Sequence, residues 1–390
     1  MKLVRETSEL TKRYDVLIVI SHYLPGRSSG GPVTSIENLV KKLGNQIRIV
    51  IVTQNYDLDG SLYSNIIPLQ VYKVENADVI YLNKEDFRFS TIQGLAEQLK
   101  VSCIYLNSFF SKITVESLFR MWLLRKNIRV VVAVRGEFSP GALKIKAWKK
   151  QLYIKLSRNI GIMRHVIFQA TSAREEHDIT KNLGKVQTMI SMDIPADIEM
   201  ITTSEKHANS TTKLVFISRI VPMKNLTYAL RCLSKVKGDI IFDIFGTLED
   251  HDYWEECKNI IAELPPNIRV KYNGVLKHDM VRKKFQEYDA FLFPTAGENL
   301  GHVIFESLSA GCPVIISDQT PWQDLECKGV GWVIPLEKPD IFTDTIQNIM
   351  KETAGEKHER SGKCLKYAID ISQDKDMIKK NLELFGIQTR

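Results

Sequence analysis

No uninterrupted apolar run in the 390 residues approaches the roughly 18 needed to cross a bilayer. The longest runs, such as Ile128 to Val134, are strand-sized and carry charge inside or beside them. The first residues, with Lys2, Arg5, Glu6 and Glu9, lack the apolar stretch of a secretory leader, so secretion is not expected. Cysteine is sparse. Cys103, Cys232, Cys257, Cys312, Cys327 and Cys364 stand far apart, with no C-x-x-C pair and no Cys/His spacing suited to zinc. They read as reduced, mostly buried thiols of a cytoplasmic protein. There is also no short-period repeat, no G-x-G-x-x-G dinucleotide fingerprint and no nucleic-acid-binding motif.

What is present points to an α/β protein of two domains. A chain of this length exceeds what one core usually supports, and 44% hydrophobic with 25% charged residues supplies enough apolar surface for two. Strand-like runs alternate with amphipathic helical stretches: Val16 to Ile20, Ile47 to Val52, Cys103 to Leu106 and Val130 to Val134, then Leu214 to Ile217, Ile240 to Phe245, Ala290 to Phe293 and Val314 to Ile316. Such βα repetition predicts parallel sheets with helices on both faces. The polar segment Thr202 to Lys213 is a candidate linker. It separates a first domain, 1–200, from a second, 201–375, and leaves 376–390 as a C-terminal helix that could cross back to the first. Ligands of open α/β sheets sit beyond the carboxyl ends of the strands, so two such domains would share a cleft there.

The net charge is +7, from 53 basic and 46 acidic residues, but it is unevenly spread. Between Val101 and His165 stand Lys112, Arg120, Arg125, Lys126, Arg129, Arg135, Lys144, Lys146, Lys149, Lys150, Lys155, Arg158 and Arg164, against only Glu116 and Glu137. This stretch is either a solvated helix face or an attraction for anionic headgroups or a phosphorylated acceptor.

The block from Phe291 to Ser317 reads as strand, glycine-bearing loop, helix, strand. The helix is predicted to start near Gly301 or His302 and to stop at Gly311, with Pro313 barring continuation. Its first N–H groups would form an anion site suited to a diphosphate. Glu298 in the loop and Glu306 one turn into the helix lie eight residues apart. Carboxylates beside a diphosphate need neutral donors, and the hydroxyls of a hexose and a ribose supply them, so Glu298 suits the sugar and Glu306 the ribose. Upstream, Arg219 and Lys224 follow a strand five residues apart and would neutralise a departing diphosphate without a metal.

The E-x7-E block with its Gly-Glu-Asn-Leu-Gly-His-Val lead, the Ser-Arg-Ile-Val-Pro-Met-Lys-Asn loop and Ser317 to Trp322 together resemble the family 4 retaining glycosyltransferases of the GT-B fold. The resemblance is nearest to the bacterial branch that builds capsular, exopolysaccharide or O-antigen chains, and is strongest from Leu214 to Pro335. It implies two Rossmann-like domains facing a central cleft, the first binding the acceptor and the second a UDP- or GDP-linked sugar, with no cofactor and no metal. It implies that Arg219 and Lys224 hold the diphosphate, Glu298 the sugar and Glu306 the ribose. Asn299, Leu300 and Gly301 form a loop reaching the sugar and diphosphate, Gly246 lies near the nucleotide, and Asn273 to Val275 lie near the base. Leu300 replaces the family's usual aromatic.

In the first half Gly30 and Gly31, after the first strand, permit close approach to phosphate or acceptor. Arg135 stands where many relatives carry a histidine near the reacting carbon. Arginine stays protonated and would bind anions there rather than act as a base. Glu137 is a candidate for positioning the acceptor hydroxyl, and Ser172 with Glu175 or Glu176 also resembles the family. The implied acceptor is a saccharide, free or polyprenyl-diphosphate-linked, reached in the cytoplasm or on the inner face of the membrane, with an anionic membrane surface as a further partner and no nucleic acid. Asp57-Leu-Asp59 imitates a D-x-D metal motif, but the Gly60 that follows favours a turn. The rival readings are a sugar-nucleotide epimerase of the same architecture and a catalytically silent nucleotide-sugar-binding subunit.

Overall fold

The computed structural model describes residues 2–3, 13–124, 128–144, 147–198 and 211–388. The candidate linker falls outside them apart from its last three residues, as do Arg125, Lys126 and Lys146 of the basic stretch. The chain divides into two compact units, Met1–Ala196 together with Asp374–Arg390, and Asp197–Gln373. Among the described residues no helix is long and apolar enough to cross a membrane. The six cysteines are free thiols, all buried except Cys327.

The first unit holds strands β1 (Lys2–Leu3), β2 (Val16–Val19), β3 (Ile49–Gln54), β4 (Val71–Val74), β5 (Ala77–Leu82), β6 (Cys103–Asn107), β7 (Arg129–Ala133), β8 (Val166–Ala170) and β9 (Gln187–Ile190). They form one sheet in the order β1-β4-β5-β3-β2-β6-β7-β8-β9. Every pairing from β5 to β9 is parallel, as expected. The departure is at one edge, where β4 and β1 run antiparallel. Two residues, Glu75 and Asn76, link β4 to β5, with Glu75 at φ 52°, and so short a link admits only a hairpin.

Because side chains alternate across a strand, β2 sends Leu17 and Val19 to one core and Val16 and Ile18 to the other. Helices Phe89–Gln98, Lys112–Leu124, Ala147–Asn159 and Ala173–Leu183 cover the first, adding Ile92, Leu118, Ile154 and Ile179. Helix Gly31–Leu43 covers the second with Ile36 and Val40, joined by Leu382 and Leu384 of the terminal helix Lys375–Leu384. That last helix is tied down by polar bonds as well: Arg129 donates to the carbonyls of Leu384 (2.9 Å) and Glu383 (3.0 Å), and Asn381 to that of Met192 (2.9 Å).

The second unit is a parallel sheet of β10 (Thr212–Ile217), β11 (Ile240–Phe245), β12 (Ile268–Tyr272), β13 (Ala290–Phe293), β14 (Val314–Ser317) and β15 (Gly331–Ile334), in the order β12-β11-β10-β13-β14-β15. Strand order reverses between β10 and β13, which is where open α/β sheets bind ligands. The predicted helix of the E-x7-E block is present as His302–Ser309. It begins after Gly301 at φ 72° and gives way to Gly311 at φ 75°, where any side chain would press on Ser361.

Candidate functional site

The loops that leave β10 and β13 are stitched together at the strand-order reversal. Ala296 N and Thr295 Oγ1 donate to the Met223 carbonyl at 2.8 and 3.1 Å, and Asn225 Nδ2 donates to the Pro294 carbonyl at 2.9 Å. Asn225, at φ 60°, turns the chain out of the short 3-10 turn Pro222–Lys224 into helix Leu226–Leu233. This brace brings two of the expected site residues together. Lys224 Nζ forms an ion pair with Glu298 Oε1, and each side chain is only 12% exposed. A cation and a carboxylate expected to serve different ends of one ligand thus pair with each other.

Arg219 lies on the same loop with 54% of its side chain exposed and makes a 3.0 Å contact to Glu249. An exposed pair of this kind is weak and screened by salt, so an incoming anion can recruit the guanidinium at little cost. Glu306 differs. Burial pushes its carboxyl up to about 8, although a fifth of the side chain remains exposed, and His278 Nδ1 stands 3.7 Å from Oε1. Near neutral pH Glu306 therefore keeps its proton in most molecules and can donate as well as accept a hydrogen bond, where the sequence suggested an acceptor alone.

Gly301 caps the helix that carries Glu306, and a Cβ there would lie 2.9 Å from Ile304 Cδ1. The Leu300 side chain packs inward, 2% exposed, and its carbonyl accepts the Trp322 indole N–H at 2.5 Å. Asn299 lies beside Glu298, whose own N–H donates to the Gln319 carbonyl at 3.1 Å. Gly246, at φ 146°, is required by a close approach, since a Cβ would fall 1.7 Å from the Ser218 carbonyl oxygen. The Asn273 side chain donates to Asp243 Oδ1 at 2.8 Å and so locks β12 to β11, while Val275 beyond it is exposed. Gly246, Asn273 and Val275 thus all stand at the carboxyl edge of this sheet.

In the first unit Gly30, at φ 63°, precedes helix Gly31–Leu43, and a Cβ on Gly30 or Gly31 would meet nothing within 4 Å. Arg27 braces this loop through a two-pronged contact with Glu37 at 2.7 and 3.1 Å. Two of the expected site residues are already partnered within the protein. Arg135 is the first. Its guanidinium is buried and spent on Asp193 (2.5 and 2.6 Å), Asn107 (2.8 and 3.2 Å) and Tyr105 (3.2 Å). Burial opposes its charge, but Asp193 outweighs that and holds the pKa above the usual guanidinium value. Glu137 is likewise committed. It accepts from Ser108 Oγ and Phe109 N, both at 2.6 Å, and burial raises its carboxyl against those donors. Both side chains thereby brace the loops after β6 and β7.

Ser172 caps helix Ala173–Leu183, Glu175 accepts from the Gly136 and Thr171 amides (both 2.7 Å), and Glu176 accepts from Thr188 (2.6 Å). Asp57 to Gly60 form a turn, with Asp59 accepting from Ser61. His278, Glu249 and Asp193 were not singled out in the sequence. Each meets its partner across 28, 30 or 58 residues of chain, and no local spacing announces such a pair.

Residues 197–367, most of the second unit, match the family model described as Glycosyl transferases group 1. An uncharacterized glycosyltransferase of Methanocaldococcus jannaschii is 24% identical over 144 residues, 36% of either chain. The poly(glycerol-phosphate) alpha-glucosyltransferase of Bacillus subtilis is 33% identical over 132 residues, 33% of this chain. The aligned segments span only 36% and 18% of those two relatives. Among solved structures, sucrose-phosphate synthase from Thermosynechococcus elongatus superposes with a TM-score of 0.70 at 14% identity, covering 96% of this chain and 98% of its own. Anabaena HepE, solved with UDP and glucose, gives 0.66 at 15% identity, covering 95% and 98%. The fold is therefore that of the two-sheet GT-B glycosyltransferases.

Proposed function

We propose that this protein is a metal-independent, retaining glycosyltransferase of family 4 that moves a hexose-type sugar from a UDP- or GDP-linked donor to a saccharide or polyprenyl-diphosphate-linked acceptor. The observation that carries the reading is the Lys224–Glu298 pair at the strand-order reversal, beside the exposed Arg219 and the helix start at Gly301. An arriving diphosphate draws Lys224 and Arg219 from their carboxylates. Glu298, released from its cation, then accepts from the sugar hydroxyls, and Glu306 meets the ribose as donor and acceptor. The two cations act most strongly as the bond from the sugar carbon to the leaving phosphate breaks, because charge on that oxygen is then greatest. The acceptor oxygen bonds to the same carbon from the same face, its proton passes to the leaving phosphate oxygen, and configuration is retained.

The Bacillus subtilis relative, an alpha-glucosyltransferase by name, and the UDP and glucose held by the Anabaena neighbour support this reading of donor and sugar. A role in capsular, exopolysaccharide or O-antigen assembly on the inner face of the cell membrane follows from the resemblance and the basic stretch. A thermal-shift screen of nucleotide sugars selects the donor, since a ligand of the native state raises its melting temperature. Product formed with that donor in excess EDTA is then examined by NMR. A product of unchanged anomeric configuration is expected. Inversion, loss of turnover in EDTA, or free epimerised nucleotide sugar made without an acceptor refutes the proposal.

A further inference from the structure

Two helices of the basic stretch in the first unit are apolar on the side turned away from the core. In Ala147–Asn159 the inner face buries Ile154 and Ser157, while Trp148, Leu152 and Leu156 recur every fourth residue on the opposite face, 68%, 51% and 51% exposed. In Lys112–Leu124 Ile113, Leu118 and Met121 enter the core, while Phe119, Trp122 and Leu123 point outward, each at least 41% exposed. The helices cover the same face of the sheet, and Phe110, just before the first of them in the chain, reaches the second: Lys150 lies 4.9 Å over its ring, which stands 6.1 Å from Tyr153. Large apolar side chains gathered on one exposed face mark a binding surface.

The charges name the occupant. The two helices carry Lys112, Arg120, Lys149, Lys150, Lys155 and Arg158 against Glu116 alone, and Lys149 lies 5.4 Å over the Trp148 ring. A second copy would bring the same sign of charge against itself. An anionic bilayer instead accepts aromatic and leucine side chains at the headgroup boundary and attracts the lysines beside them. We infer that helices Ala147–Asn159 and Lys112–Leu124 lie in the surface of an anionic membrane, with Trp148, Leu152, Leu156, Phe119, Trp122 and Leu123 inserted. This deepens the membrane-side part of the proposed function and rests on it for the acceptor alone.

Flotation with phosphatidylcholine vesicles, with and without phosphatidylglycerol, tests the inference in the absence of any sugar nucleotide. The wild-type chain is expected to float with the anionic vesicles only, and less at high salt. Trp148→Ser/Leu152→Ser/Leu156→Ser should lower its partition more than tenfold. Lys149→Gln and Lys155→Gln should each lower it about fivefold. Both sets should leave the melting temperature, the donor-induced shift and turnover of a water-soluble acceptor unchanged. No flotation of the wild type, or equal flotation of both variant sets, overturns the membrane surface. So does a dimer in sedimentation that the triple substitution dissolves while vesicles are ignored. Flotation without any turnover would leave this surface standing and sink the proposed chemistry.

Discussion

Replacing Lys224 by methionine removes one member of an ion pair whose two side chains are each 12% exposed. Stranding one charge of a fully buried pair costs about 3–5 kcal/mol, whereas exposed pairs contribute about 1 kcal/mol or less. A pair this sheltered should lie between, so Lys224→Met is expected to lose about 2–3 kcal/mol of stability through the Glu298 carboxylate left behind. Adding Glu298→Gln removes that carboxylate, and the double variant should regain at least about 1 kcal/mol of the loss. Turnover should behave in the opposite way. In the proposed function Lys224 stabilises the leaving group and Glu298 orients the sugar, so each single change should lower kcat by about 10²–10³ and the double change should not restore it. Urea unfolding gives the first cycle and initial rates of donor-dependent transfer give the second. Stabilities that add without coupling, or a Lys224→Met enzyme within threefold of wild-type kcat, would refute the reasoning.

Further outcomes follow from the same geometry. Gly246→Ala forces a Cβ to within 1.7 Å of the Ser218 carbonyl at φ 146°, and should cost about 3 kcal/mol or more in urea unfolding, or prevent soluble folding. Burial raises Glu306 from 4.5 to about 8, so between those values the native state keeps a proton that the unfolded chain has released. Its contribution is therefore full below the lower value and is lost as pH rises to the upper one, at a limit of about 1.4 kcal/mol per pH unit for one proton. Glu306→Gln should remove most of that slope in denaturation measured from pH 5 to 8, and an unchanged slope would contradict it. Arg135→Met leaves Asp193 buried without its cation and should cost about 3–5 kcal/mol. If the protein folds as stably as before and only turnover falls, Arg135 has a substrate role after all.

The sequence reads most clearly where one segment carries both fold and chemistry. β11 and β13 coincide with their apolar runs, and the helix after Gly301 ends where Gly311 requires it to, because period and punctuation are local properties. β12 escaped notice because Ile268 alone is buried in it, Arg269 and Lys271 being exposed at a sheet edge, and β15 because it opens on Gly331. The Lys224–Glu298 pair was legible only as two separate charges. Their meeting depends on β10 and β13 lying side by side, although 74 residues of chain separate the two side chains. Arg135 was likewise legible only as a lone charge at a position where relatives carry a histidine. Its partners Asp193, Asn107 and Tyr105 are brought to it by other strands and loops.

The terminal helix Lys375–Leu384 belongs to the first unit, so the second unit is an insertion bounded by two crossings of the chain. During synthesis Leu382, Leu384 and Phe385 emerge from the ribosome after all of Asp197–Gln373, and the core they complete must wait for them. The inserted unit can mature on the nascent chain while its host remains unfinished, reversing the usual N-terminal-first order of domain folding.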